Sequence, residues 1–407
     1  MTPRRLPRAA GLALASVVLA AGCSGGQAAP PRAGAVSPTP TGAGRSAAAH
    51  APATDIYAHA RAGMFSPAVA GARALVYVPN LADGTVSVLD QASMAVVDTL
   101  KVGREPQHVV PSWDLKTLWV NNNRGNTLTP IDPGTGRTAG PAVPVDDPYN
   151  LYFTPDGSAA MVMAEARREI DFYDPHTFAP QTRLRLDARC TGVNHADFSA
   201  DGTYFIATCE FSGQLVKVDV ATRTVLGYLD LNGQGAAAPQ DIKVDPAGVL
   251  WYVADMNRGG LHEVDGDRFV ETGFLPTGPE THGLYLSRDG RDLYVANRGG
   301  MQTSAKPPFP HSGADGSVSV VDVLRRAVVA TWPVPNGTPD MGNVSADGSR
   351  LWLSGRRSNE VYVFDTGGGD PAKGHLLTRI PVGREPHGLC VWPLPGRYSL
   401  GHTGILR

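Results

Sequence analysis

From residue 75 onward the chain alternates apolar and polar positions in short runs, each closed by an Asp and a turn. Val86–Asp90, Leu128–Asp132, Ile170–Asp174, Leu215–Asp219, Leu261–Asp265, Val318–Asp322 and Val361–Asp365 share this form. Period-two alternation predicts half-buried strands. The closing residues Asp90, Asp132, Asp174, Asp219, Asp265, Asp322 and Asp365 follow one another at spacings of 42, 42, 45, 46, 57 and 43. A second marker, a Gly-ended turn, recurs at Thr154–Gly157, Ser199–Gly202, Asp245–Gly248, Ser287–Gly290 and Ser345–Gly348, with Ser112–Leu115 a degenerate copy. A period in the low forties with about four strands per unit predicts a β-propeller.

One unit is written most clearly as His282–Ser287 (strand A), Asp292–Asn297 (B), Gly316–Asp322 (C) and Ala327–Val334 (D). The first unit opens on Leu75–Asn80, a B strand, and the last apolar run, His387–Trp392, is an A strand with no successor. Joining these two ends completes one blade and leaves no open sheet edge. The expectation is an all-β, seven-bladed β-propeller of four-stranded antiparallel blades over residues 75–393, closed by the C-terminal strand in the first blade.

Leu293–Asn297, Leu75–Asn80 and Leu118–Asn122, with the Ser-x-Asp-Gly turns and Gly383–Gly388, resemble the YVTN-type repeat of seven-bladed propellers found in bacterial envelope proteins. The pattern weakens at Met161–Glu165, where the strand-end Asn is missing. The resemblance implies fold and leaves function open, because this fold carries surface-layer, binding and enzymatic members alike.

Composition narrows the picture. Against 36 Lys and Arg stand 38 Asp and Glu, a net charge of −2 that gives no bias toward a nucleic-acid partner. Gly (47) and Pro (34) make up about a fifth of the 407 residues, which favours turns over long helices. Arg4, Arg5 and Arg8 precede an apolar stretch from Ala9 to Ala21 and then Cys23, the layout of a signal peptide over residues 1–22. Leu19–Cys23 resembles the bacterial lipobox, although Ala20 stands where Leu is commoner, so Cys23 is the expected lipidation site. Residues 23–55, rich in Ala, Pro and Gly, read as a disordered tether. Residues 56–74 are a lead-in and 394–407 a tail. The expected product is a monomer held outside the cytoplasm on the cell membrane, or else secreted.

Candidate chemistry gathers where strand A begins. In an antiparallel meander the A–B and C–D turns share one face, and the D–A and B–C loops share the other. The first face carries the seven strand-C aspartates, which turn capping explains. On the second, strand A starts read Gln107-His108, Tyr149-Asn150, Asn194-His195, Gln240-Asp241, His282-Gly283, Asp340-Met341 and His387-Gly388. Strand A is innermost, so these side chains should crowd the channel mouth, and B–C loops add Arg124, Arg258, Arg298 and Arg356.

The candidate ligand-binding set is therefore His108, Asn150, His195, Asp241, His282, His387 and those four arginines. One reading is a copper or iron site, bare or as haem iron, on His108, His195, His282 and His387, since imidazole is the commonest metal ligand. Distant copper and haem enzymes on related propellers use His in this way. A second reading is a small anionic molecule, or a carboxylate of an envelope protein or peptide, held by the Arg and Asn rim. A third is a propeller lyase or lactonase with His108 or His195 as base beside Asp197 or Glu210. No hydrolase, P-loop or dinucleotide motif is present. The leading reading is a binding or scaffold module.

Two further expectations concern cysteines and a loop. Cys190 and Cys209 flank neighbouring strands of one blade and predict a disulfide, whereas Cys390 reads as a buried apolar residue. The surplus in the 57-residue spacing falls in the loop Gly299–Gly313 with Lys306, Phe309 and His311, expected to fold over the mouth.

Overall fold

The computed structural model describes residues 55–233, 235–300 and 315–402, with the backbone of 405–406. The signal segment, Cys23, most of the tether and the loop residues Lys306, Phe309 and His311 lie outside the described residues. Seven antiparallel sheets follow one another around an axis. The first blade takes its strand A from Cys390–Trp392, which pairs with Leu75–Tyr77 and closes the ring. Its strands B, C and D are Leu75–Asn80, Thr85–Asp90 and Ala95–Lys101. Strands A of blades two to seven are Pro106–Pro111, Pro148–Phe153, Val193–Phe198, Pro239–Val244, Thr281–Leu286 and Pro339–Val344. Blade two deviates at its rim, where strand D is reduced to Arg137–Thr138 and Val143–Pro144 also pairs with strand C.

The core lies between blades. Val76, Val78 and Val86 of blade one share one buried cluster with Val361 and Val363 of blade seven and with Val109 and Val120 of blade two. Trp251, Trp352 and Trp392 are almost wholly buried, each worth roughly 2–3 kcal/mol of transfer free energy. Every strand-C aspartate caps its turn. Ser93, Gly134, Thr177, Thr222, Arg268, Arg325 and Gly367 donate their backbone N–H to Asp90, Asp132, Asp174, Asp219, Asp265, Asp322 and Asp365. The strand-B asparagines act similarly on the other face. Asn122 Nδ2 donates to Thr127 and Thr129 while its Oδ1 accepts from Gly103 N at 2.9 Å, tying the B–C turn to the D–A loop.

One irregularity recurs in all seven blades and decides what the channel contains. Strand A pairs once with the end of strand B and then slips by one residue. Pro106↔Asn122 is followed by Val109↔Val120, Val193↔Cys209 by Ala196↔Ala207, and Pro239↔Asp255 by Ile242↔Val253. The same slip occurs after Thr281↔Asn297, Pro339↔Gly355 and Pro148↔Ala164, and between Asn80↔Pro386 and Tyr77↔Cys390. A β-bulge of this kind adds a residue and re-aims side chains. The re-aimed residues are the polar strand starts.

The tail is not peripheral. Residues 394–402 cross beneath the A–B turns beside the lead-in, where Gly396 N donates to Met64 O at 2.9 Å, and then rise into the channel. Ser399–Gly401 adds a strand to the inner edge of blade three through Gly401↔Tyr152, and the backbone of Ile405–Leu406 folds back on it. Lead-in and tail together cover the A–B face, and a cavity of about 350 Å³ remains between the lead-in and blades five to seven.

Candidate functional site

The four predicted histidines meet. His108, His195, His282 and His387 form a closed circuit around the axis, with successive ring centroids 5.7, 6.3, 6.0 and 5.0 Å apart. They come from blades two, four, six and one, and the blades between them supply Asn150, Asp241 and Asp340 at equivalent bulges. Except between His387 and His108, which come from neighbouring blades, imidazoles thus alternate with polar groups that can hold them. His108 Nδ1 and His387 Nδ1 face the carbonyls of Tyr149 and Gln107 at 2.9 and 3.2 Å. Since a carbonyl only accepts, each ring carries its proton there and turns the Nε2 lone pair inward. Asp340 Oδ1 lies 2.9 Å from His282 Nδ1, and Met341 Sδ lies 3.1 Å from the same nitrogen.

These groups are buried in the channel, not exposed at its mouth as expected. His108, His195 and His387 have no exposed surface and His282 has 2%. Burial pushes His108 down to about 3 and His282 to about 4, and holds His195 and His387 well below the ordinary value. All four are neutral imidazoles, the protonation state that a metal ligand needs. The two carboxylates are each matched by a cation. Burial would raise Asp340, but Arg298 at 2.7 Å, helped by the His282 Nδ1 proton at 2.9 Å, overcomes it and keeps the carboxyl well below the usual range. Lys243, 3.4 Å from Asp241, does the same there with His402.

The predicted arginines divide. Arg298 enters the chamber on Asp340. Arg356 is half-buried at the mouth, near Glu165, Glu210 and Tyr149. Arg124 does not join them: it is exposed and paired with Glu105 at 2.9 Å. Nor does Arg258, whose guanidinium lies 3.8 Å over the Phe274 ring within its own blade, near Glu271. Glu165 and Glu210 flank the mouth with carboxyls raised by burial, and Asn194 donates to Glu210 at 2.8 Å. Cys190 and Cys209 are joined by a disulfide, and Cys390 is a buried free thiol.

The sequence reading missed His402 and Lys243, and left Asp340 out of the candidate set although it placed that residue at a strand A start. Asp340 carried a signal, since it starts a strand A like the others. His402 carried none, because it belongs to no repeat.

Fold and channel define a seven-bladed propeller with a histidine-lined axis. The chain belongs to the YNCE-like β-propeller family, whose profile matches residues 46–298. No curated protein matches it in sequence. Among solved structures it is similar to a putative 6-phosphogluconolactonase from Bacteroides uniformis, with TM-score 0.61 and 17% identity over 78% of this chain and 98% of that one. Hydrazine synthase from Kuenenia stuttgartiensis has TM-score 0.57 and 15% identity over 69% and 87%. Dihydro-heme d1 dehydrogenase NirN in complex with DHE has TM-score 0.55 and 13% identity over 81% and 76%. At these identities the likeness is one of fold.

Proposed function

We propose that the protein is a cell-envelope metal-binding propeller that holds one transition-metal ion in its channel on His108, His195, His282 and His387. One observation carries this reading: Nε2 of His108 and His387 and Oδ2 of Asp340, three atoms with lone pairs to offer, are buried without a hydrogen-bond partner among the described residues. An orphaned buried polar atom costs about 1–3 kcal/mol, and three acceptors that line one chamber call for a shared ligand. Neutral imidazoles with a nearby thioether suit copper, which also tops the affinity order for nitrogen sites. An anionic ligand is less well served, because Arg298, Arg357 and Arg124 are paired with Asp340, Glu280 and Glu105.

Anchoring outside the cytoplasm through Cys23 is part of the proposal. The Cys190–Cys209 disulfide supports an oxidising compartment. The test is elemental analysis of full-length protein purified without a histidine tag, followed by titration with Cu(II), Zn(II) and Fe-haem. One copper per chain is expected. Absence of binding by all three would sink the reading.

A further inference from the structure

After closing the ring, the chain spends its last described residues building into the channel. Tyr398 stacks on Trp113 at 5.5 Å and Ser399 N donates to Trp113 O at 3.1 Å, setting the direction of entry. Gly401 then lies against blade three so closely that a Cβ there would fall 2.3 Å from Leu151 O and 2.5 Å from Tyr152 Cα. Its φ of +91° is a second reason for glycine. The next residue donates its backbone N–H to Leu151 O at 2.7 Å, and the imidazole of His402 is delivered, fully buried, beside the histidine circuit.

The placement of that ring is specific. Its centroid lies 4.8 Å from His195 and 5.6 Å from His108, and one nitrogen of each of the three can be chosen so that all lie within 4.8 Å of one another. Asn150 Oδ1 accepts from Leu151 N at 2.9 Å, which fixes the amide so that Nδ2 faces His402 Nδ1 at 2.9 Å. An amide nitrogen only donates, so His402 Nδ1 accepts and the ring proton sits on Nε2, 3.4 Å from Asp241 Oδ1. The same Asn150 Nδ2 lies 3.3 Å from His195 Nδ1, so one amide bridges the two rings, and a histidine held through its proton by a carboxylate and grouped with two other imidazoles has the form of a carboxylate-oriented metal ligand.

We propose that His402 is a further metal ligand, binding through Nδ1, and that the C-terminal segment is the part of the site that docks with the ion. The inference rests on the metal-binding reading above and adds a residue from outside the propeller repeats. An ion bound there displaces the Asn150 amide, which turns away from His402 and gives up its bond to Leu151 N, while Asp241 and Lys243 hold the far side of the ring. Because the ion binds the docked tail and not the released one, metal binding and tail docking strengthen each other by mass action.

The experiment uses full-length protein without a histidine tag and Cu(II) as probe. His402→Ala, His402→Gln and Gly401→Val are compared with the parent by chelator competition, by electron paramagnetic resonance and by amide exchange of residues 399–402. Gln keeps a donor for Asp241, and Val unseats the strand while leaving His402 in the chain; melting curves check that each variant folds. The expected result is one copper per chain throughout, at least tenfold weaker binding in all three variants, and a changed nitrogen hyperfine pattern. Copper should also slow exchange at 399–402 at least tenfold in the parent and leave it unmoved in His402→Gln. If the parent binds one copper and the variants match it in affinity and spectrum, the tail is only filler and the inference fails while the metal reading stands. If the parent binds no copper, both fail.

Discussion

His108 and His387 lie ring to ring, 5.0 Å apart, one from the second blade and the other from the strand that closes the first. Each is pinned at Nδ1 by a main-chain carbonyl, so neither can swing to compensate for loss of the other. Single changes of His108, His195, His282 or His387 to Ala are therefore expected to weaken Cu(II) binding at least tenfold. His59→Ala, His176→Ala and His375→Ala should be silent, since these residues lie outside the channel. Chelator competition on the seven variants checks this, and equal losses in both groups would remove the circuit as the site.

How much of this was legible in the sequence follows from what repeats. The Asp-ended strands and Gly-ended turns are local signals copied in each blade, so blade number, closure and the polar strand starts could be read from spacing alone. Depth could not: the bulge that turns His108 and His195 into the buried channel shows only as a slipped register between strands. The arginines mislead for a related reason. Arg124 and Arg298 occupy equivalent loops, but only Arg298 finds a buried carboxylate, Asp340, on the neighbouring blade. His402 depends on the path of a non-repeating tail, about which spacing says nothing.

Arg298 and Asp340 form the ion pair that holds the circuit from behind. Arg298→Ala would leave the Asp340 carboxylate buried without its guanidinium, and losing one partner of a buried pair costs about 3–5 kcal/mol. Denaturant melts of Arg298→Ala should show a loss of this size, and adding Asp340→Asn should recover part of it. A loss below about 1 kcal/mol would mean the pair is dispensable.

The disulfide closes a loop with a sequence separation of 19, for which chain entropy predicts about 3 kcal/mol of stabilisation. Cys190→Ser is expected to lose roughly that amount, and dithiothreitol should reproduce the loss in the parent and leave the variant unmoved. Unfolded, unreduced protein with Cys23 removed should show one free thiol, Cys390. Three free thiols would rule the bridge out.

Gly388 offers a steric test of the site that touches no ligand chemistry. A Cβ at this position would fall 2.0 Å from His108 Cδ2, and the backbone there is fixed by bonds from Gly388 N to Gln107 O and from Val109 N to Gly388 O. The His108 ring must therefore move. Overpacking of this kind costs typically about 1–3 kcal/mol. Gly388→Ala should show that loss together with weaker Cu(II) binding, and unchanged binding would place His108 outside the site.

Acid should destabilise the protein through its buried imidazoles. Burial pushes His108 down to about 3 and His282 to about 4, and lowers His195, His387 and His402 as well. In the unfolded chain each returns to about 6.5. Below that pH the unfolded state takes up protons that the native state refuses, so stability is fully present above about pH 6.5 and falls as pH drops toward the native values. Each such imidazole adds up to about 1.4 kcal/mol per pH unit to the slope. Glu165 and Glu210, raised by burial, act in the opposite sense, because their native forms protonate first on acidification. Asp241 and Asp340, held low, lose their contribution only below the ordinary carboxylate range. Asp147, Asp171, Asp245 and Asp292, also raised by burial, act as the two glutamates do; the unfolded imidazoles titrate near 6.5, above the ordinary carboxylate range, so metal-free protein should lose stability from pH 7 to pH 5. Denaturant melts at pH 8, 7, 6 and 5 measure the slope, and His108→Ala should reduce it by about one proton's worth. A flat profile, or an unchanged slope in the variant, would show that His108 titrates alike in both states.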